Sequence, residues 1–239
     1  MLYGSYSKGL KSAGFSTATD GFVLPDQLRF KPERLYSGEI GVKSTFFDRK
    51  LTVDLAAYDY DYKDFQTFIF SGVSFSVVNK PATARGIELE TTLRPGAGFT
   101  LNFDGAYNHF RVKDISTPEA VDGESQHSIN SPTWVASWGI AKEMPLKPGV
   151  RLTFAYNGHY TGNRYFGTVN EAIIHAPGYT IHDATVTIET DSGLSASAFV
   201  NNFTNTYYPT ISFDQTFNGF TMSHVGTPRT FGVTVGYKF

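Results

Sequence analysis

Apolar and polar residues alternate along most of this chain, and the alternation is cleanest at its end. Phe231, Val233, Val235, Tyr237 and Phe239 fall on one face of an extended segment; Thr230, Gly232, Thr234, Gly236 and Lys238 fall on the other. A repeat of two is the signature of a strand with one greasy side and one small, polar side. The last residue still obeys the pattern, although ordering a terminus costs entropy that soluble chains usually avoid. Phe99, Leu101, Phe103, Gly105 and Tyr107 oppose Thr100, Asn102, Asp104, Ala106 and Asn108 in the same way. By itself this pattern fits an edge strand of a soluble sandwich as well as a strand facing lipid.

Read along its length, the chain predicts about ten strands and no helix. They fall at 2–8, 35–47, 51–70, 87–93 with a weaker extension at 73–78, 99–112, around Trp134 to Ile140, around Leu152 to Tyr160, around Ala184 to Ile188, 194–204 and 228–239. In the 35–47 strand Tyr36, Ile40, Val42 and Phe46 share a face. In the 51–70 strand the apolar phase moves near Ala56 and Ala57, after which Tyr58, Tyr60 and Tyr62 share a face. A bulge does that; so does a strand whose aromatic end lies beyond the lipid. Both readings stay open at this point.

The connections sort by parity. Short ones at 48–50, 95–98, 145–149 and 191–193 alternate with longer ones at 11–34, 114–132, 162–178 and 207–227 and with a moderate one after the 51–70 strand. A Greek-key sandwich gives no reason for this; an up-and-down membrane barrel does, with tight turns on the periplasmic rim and long loops outside. The fold class expected is therefore all-β, an antiparallel up-and-down transmembrane β-barrel region, with residues 1–239 as a single domain. Glu39, Lys43, Asp54, Glu88, Glu90, Arg94 and Asp104 fall on the side away from lipid, where a charge avoids a cost of ~2–4 kcal/mol. Phe46, Phe47, Phe99, Tyr237 and Phe239 gather toward the turns, and Tyr58, Tyr60, Tyr107, Trp134 and Tyr160 toward the loops, as interfacial girdles require.

Composition narrows the functional classes. The 239 residues contain no cysteine, which excludes disulfide frameworks, cysteine-ligated zinc and thiol catalysis. A net charge of −2 lacks the basic footprint of a nucleic-acid partner. There is no apolar run long enough for a transmembrane helix, which leaves a strand-crossing membrane protein open. No export signal follows Met1. Together with an outer-membrane address, that leads to the expectation of a fragment whose start has been lost.

The stretch 31–48, KPERLYSGEIGVKSTFFD, and the following strand through YDYDYKDFQ at 58–66 resemble the TonB-dependent receptors. RGIELE at 85–90, NNFTN at 201–205, the strand 228–239 and YGSYSKGLK at 3–11 resemble further blocks of that family in the right order. The resemblance implies the C-terminal portion of a 22-stranded outer-membrane transporter barrel of a Gram-negative bacterium. It implies uptake of a ferric siderophore or a similarly scarce small ligand. It also makes the strand carrying Phe231, Val233, Val235, Tyr237 and Phe239 the signal read by the barrel assembly machinery. The plug, the TonB box and about twelve strands of such a barrel are absent from the sequence. Contact with the TonB system is then expected only through the missing plug. Partners implied are outer-membrane lipid, the assembly machinery and the small ligand; no cofactor is implied.

Candidate chemistry is sparse. His159, His175 and His182 sit on different elements without metal-ligand spacing. Glu88 and Glu90 read as a hydrated inner wall rather than an acid pair. No Gly-x-Ser-x-Gly elbow occurs, and the sequence is read as that of a receptor rather than an enzyme. The ligand candidates are aromatic and cationic loop residues: Arg164, Tyr165 and Phe166, and Tyr207, Tyr208, Phe213, Phe217 and Phe220. Such side chains hold a flat or anionic ligand by stacking and charge; they also pack loops against one another. Two other architectures stay open: a small outer-membrane barrel, porin-like or protease-like with His182-Asp183 at its rim, and a soluble carbohydrate-binding β-sandwich.

Overall fold

The structure, a computed structural model, describes residues 1–16, 28–70, 75–115 and 126–238. Ten strands follow one another in a single antiparallel meander. They are β1 (Leu2–Lys11), β2 (Glu33–Phe46), β3 (Leu51–Phe70), β4 (Phe75–Gly96), β5 (Phe99–Val112), β6 (Trp134–Lys147), β7 (Val150–Thr161), β8 (Tyr179–Thr190), β9 (Leu194–Asn201) and β10 (Thr230–Tyr237). Each pairs with its neighbours in sequence. A two-residue strand, Gln126–His127, adds beside the end of β5. Among the described residues β1 pairs only with β2 and β10 only with β9, so the sheet is an open wall rather than a ring.

Several strands exceed their predicted bounds. β1 reaches Lys11, and β4 is one strand of 22 residues. Beyond a register shift between Tyr62 and Phe65, β3 and β4 continue pairing up to Phe70 and Phe75. The β4 extension was weak in the sequence because Asn79, Lys80 and Pro81 interrupt its apolar alternation. β6 runs through Pro145 to Lys147, into the predicted turn. Pro145 lies near the end of the strand, and the pairing shifts register between Val150 and Arg151. β9 stops at Asn201, short of 204, because Asn202 takes a positive φ of 47° and receives capping contacts instead. The loop 207–227 contains a hairpin of its own, Pro209–Gln215 with Phe220–Val225.

The tight turns all lie at one rim. Phe47, Asp48 and Arg49 close the β2–β3 turn with positive φ, Gly96, Ala97 and Gly98 close the β4–β5 turn in the same way, and Gly149 and Gly193 supply φ of 77° and 90° to the β6–β7 and β8–β9 turns. Register then fixes two faces. Lys43 and Asp54 pair directly and form an ion pair of 3.3 Å. Thr92 Oγ1 donates to Asn102 Oδ1 at 3.1 Å, and Ser137 Oγ and His159 Nδ1 share a hydrogen bond of 2.9 Å. That face is concave and polar. The opposite face carries Leu55, Ile87, Phe103, Ile140, Phe154, Val186 and Val233, each more than a third exposed. An exposed apolar surface this extensive needs a nonaqueous environment.

Tyr58 and Tyr60 are a correction to the girdle assignment. The register runs unbroken from Leu51 to Tyr62, so there is no bulge at Ala56 and Ala57. The tyrosines lie on the inner face with Asp54, and Tyr58 Oη donates to Asn108 Oδ1 at 3.0 Å. Tyr107 and Trp134 do point outward, with ring centroids 4.8 Å apart.

The buried core lies at the loop end of the inner face. Ala82, Val112 and Ile115 are buried there beneath Tyr62, Phe65, Phe110 and Val169. Tyr62 and Phe110 stack at 5.4 Å. Val169 comes from the β7–β8 loop, so that loop folds onto the inside of the wall.

Candidate ligand site at the loop end of the sheet

Three polar contacts hold the β7–β8 loop against the inner face. Thr168 and Thr67 share a hydrogen bond of 3.1 Å between their hydroxyls. The His127 backbone N–H donates to Asn170 Oδ1 at 2.5 Å, and Asn170 Nδ2 donates back to the His127 carbonyl at 3.1 Å. Such paired bonds across more than forty residues fix a loop that lacks strand periodicity. The His127 imidazole is held below its ordinary value of 6.5, first by burial and then by Arg111 and His109.

Arg164 is the centre of the loop cluster. It opens a two-residue strand, Arg164–Tyr165, paired with His175–Ala176. Its side chain is 5% exposed. Nη2 donates to the Pro209 carbonyl at 2.7 Å, which joins the β7–β8 loop to the distal hairpin. The guanidinium carbon lies 5.0 Å from the Phe166 ring centre and 5.3 Å from that of Tyr179. Tyr179 in turn stacks on Tyr208 at 4.5 Å. Among the described residues, Nη1 of Arg164 is a buried nitrogen without a hydrogen-bond partner. A buried cation flanked by ring faces is stabilised by their quadrupoles, but an unfilled donor still costs free energy.

The sequence candidates therefore divide. Arg164, Phe166 and Tyr208 come together. Tyr165 turns the other way, 4.9 Å from His175 and 5.9 Å from His127. Tyr207 and Phe220 are exposed, at 74% and 54%. Phe213 lies opposite Met222 in the distal hairpin. The side chain of Phe217 lies outside the described residues. Tyr179 and His127 were missed: Tyr179 opens a strand and His127 sits in a polar loop, and neither position carries a periodic signal.

Below the loops the inner face is an open acidic trough. Glu88, Glu90 and Asp104 line it with Ser137, and it continues past Asn157, His159 and Asp183. Tyr3 Oη donates to Glu39 Oε1 at 2.9 Å beside it. The histidines do not converge. His159 bonds Ser137 on the inner face. His182 is on the outer face, sharing a 2.8 Å hydrogen bond with Tyr156 Oη, to which Trp138 Nε1 also donates at 3.2 Å. His182 and Asp183 thus point to opposite faces of β8, which is no geometry for a catalytic pair. Phe231, Val233, Val235 and Tyr237 line the outer face of β10 at 57–83% exposure, and Phe239 lies outside the described residues.

A profile of the family described as TonB dependent receptor-like, beta-barrel, matches residues 1–203. Three solved structures share the fold. The ferric yersiniabactin uptake receptor FyuA from Yersinia pestis superposes with a TM-score of 0.80 at 18% identity, over 98% of this chain and 34% of its own. The siderophore receptor PiuA from Acinetobacter baumannii gives 0.74 at 17% identity, over 100% and 34%. The copper transporter OprC gives 0.76 at 15% identity, over 100% and 37%. The chain spans about a third of the length of these receptors. The match across most of its length, with the ten-stranded meander and its inner and outer faces, means that this chain belongs to the TonB-dependent receptor β-barrel family.

Proposed function

We propose that residues 1–239 act as one section of the wall of a Gram-negative outer-membrane receptor, and that its loops contact a ferric siderophore or a similarly scarce small ligand. The observation that carries this reading is the loop cluster itself. Two loops distant in sequence are tied together by Arg164, with Phe166 and Tyr179 around the cation, Tyr208 stacked on Tyr179, and Tyr207 and Phe220 exposed on the β9–β10 loop. Flat or anionic ligands bind such surfaces by stacking and by charge. Tyr165, Phe213 and Phe217 belong to the same loops. The outward apolar rows support placement in lipid, and the outward residues of β10 with Phe239 support recognition by the barrel assembly machinery. Contact with TonB would run only through a plug. FyuA and PiuA are siderophore receptors by description and OprC a copper transporter. The shared fold therefore leaves the ligand to the loops.

A binding titration tests this. The refolded chain in detergent is titrated with ferric catecholate and ferric hydroxamate siderophores while its tyrosine and tryptophan fluorescence is followed. Saturable quenching by one class is expected, weakened at least tenfold by Tyr207→Ala with Phe220→Ala. Quenching that ignores these substitutions, or none at all, overturns the reading.

A further inference from the structure

We propose that Arg164 is a carboxylate site: a ligand carboxylate takes its guanidinium fork from the Pro209 carbonyl and thereby frees the distal hairpin. This rests on the reading of the loops as a ligand surface and narrows it to one ligand class. The motivation is an uncompensated buried charge. The Arg164 side chain is 5% exposed, and among the described residues no carboxylate lies at ion-pair distance from it. Buried guanidinium groups are normally paired, because taking a charge out of water is costly. The acceptor that Arg164 does have is neutral: Nη2 donates to the Pro209 carbonyl at 2.7 Å, while Nη1 is buried without an acceptor among the described residues. One neutral bond and one unfilled donor make a half-used fork. A carboxylate fills both donors at once, and charge-assisted bonds are about twice as strong as neutral ones.

The rings favour carboxylate over phosphate. The guanidinium carbon lies over the rings of Phe166 and Tyr179, 5.0 and 5.3 Å from their centres. A carboxylate is planar and meets the fork in the guanidinium plane. A phosphate carries further oxygens outside that plane, and the negative ring faces that flank the cation repel them.

The exchange has a mechanical consequence. Pro209 is the first residue of the hairpin strand Pro209–Gln215. Its neighbour Tyr208 stacks on Tyr179 at 4.5 Å, and the Tyr208 carbonyl accepts the Gly226 N–H at 2.9 Å. A Cβ on Gly226 would run into the Tyr208 ring, so the two ends of the hairpin meet closely there. The base of the hairpin is thus clamped to the β7–β8 loop through Arg164 and to β8 through Tyr179. Giving up the Pro209 bond loosens that base. The hairpin, which carries the exposed Phe220, is then released to fold onto a ligand whose carboxylate is already anchored.

Titration of the full chain in detergent tests the proposal. The probes are ferric citrate, a polycarboxylate chelate; ferrioxamine B, a ferric trihydroxamate without a carboxylate; and iron-free citrate. Fluorescence follows binding, and hydrogen exchange follows the Gly226 amide. Arg164→Lys keeps the charge and loses the fork, and Arg164→Gln loses both; heat-modifiable gel mobility verifies that each variant is folded. In the native chain ferric citrate should bind at least tenfold more tightly than ferrioxamine B and lower the protection of the Gly226 amide at least fivefold. Both variants should lose the tenfold advantage. These native-chain readouts need neither variant. Equal affinity for the two chelates overturns the carboxylate site, and leaves the loop reading standing where binding still depends on Tyr207 and Phe220. An advantage kept in both variants overturns the assignment to Arg164. Unchanged protection at Gly226 overturns the release of the hairpin. Iron-free citrate binding as tightly as ferric citrate supports the carboxylate site and makes a free organic acid its occupant. Saturable binding of none of the three removes the site and the loop reading together.

Discussion

Replacing Leu101 by Arg should damage the protein far more than replacing the next residue, Asn102, by Arg. Leu101 is on the outer face of β5, between Leu93 of β4 and Ile140 of β6. Asn102 is on the inner face, bonded by Thr92 and lining the trough with Asp104 and Asp183. The uncharged outward run on β5 extends from Phe99 to Tyr107, eight steps. At a rise of about 3.4 Å and a tilt of about 45° these steps cover roughly 19 Å of the bilayer normal, most of the ~25 Å apolar band of a membrane barrel. Phe103 marks its middle, and Leu101 lies about 5 Å from it. An Arg at the midplane costs ~2–4 kcal/mol and less toward the interfaces, so Leu101→Arg should cost about 2–3 kcal/mol. That is on the order of a 30- to 150-fold change in the folding equilibrium. Asn102→Arg exchanges one exposed hydrogen bond for carboxylate neighbours and should change stability by under about 0.5 kcal/mol. The assay is urea unfolding in phosphatidylcholine vesicles. The signal comes from Trp134 and Trp138, the two tryptophans, which both lie on the outer face of β6. Similar losses for the two variants would refute the assignment of faces.

Three other outcomes follow from the same geometry. Gly86→Ala should cost ~1–3 kcal/mol, because a Cβ there meets Tyr58 Oη and the fixed Tyr107 carbonyl, whereas Gly38→Ala should be near neutral, its nearest neighbour being the Asp59 carbonyl at 3.9 Å; equal urea midpoints would contradict this. His127 is held neutral in the fold, so the unfolded chain binds more protons there, and stability must fall as pH drops below 6.5 toward the lowered folded value. The protection factor of the Asn170 amide, exchange corrected for its intrinsic pH dependence, should therefore fall on acidification in the native chain but not in His127→Gln, and a protection factor that rises on acidification would reverse the sign and reject the cause. Deleting Phe239 should impair assembly, read as heat-modifiable mobility, more than Lys238→Ala does; equal behaviour would remove the terminal strand as an assembly signal.

The wall was legible in the sequence because its two faces see different solvents. Lipid accepts Phe99, Leu101 and Phe103 and rejects Asp104, so a repeat of two survives along β5. The same logic explains the failure at Tyr58 and Tyr60. Past Ala57 the strand leaves the apolar band, and its inner face is covered by a loop that supplies Val169. Aromatic residues then move to the inner parity while Asp59 and Asp61 take the outer one. In sequence that reversal is indistinguishable from a bulge. Arg164, Phe166 and Tyr208 were identified from composition alone, as cations and rings in loops. Their partners were not, since Tyr179 and Pro209 meet Arg164 through folding that leaves no local pattern. Exposure told the candidates apart: Arg164 is buried as a latch, whereas Tyr207 and Phe220 are exposed.

The central claim is that one face of this sheet meets lipid and the other meets water. The absence of cysteine allows single cysteines to be placed at each position from 99 to 107 without background. Each is labelled with a polarity-sensitive fluorophore, and the chain is folded into vesicles. Quenching by nitroxide lipids buried in the bilayer is compared with quenching by aqueous iodide. The account predicts strict alternation, with lipid quenching at 99, 101, 103, 105 and 107 and iodide quenching at the positions between. Iodide access at every position would contradict it.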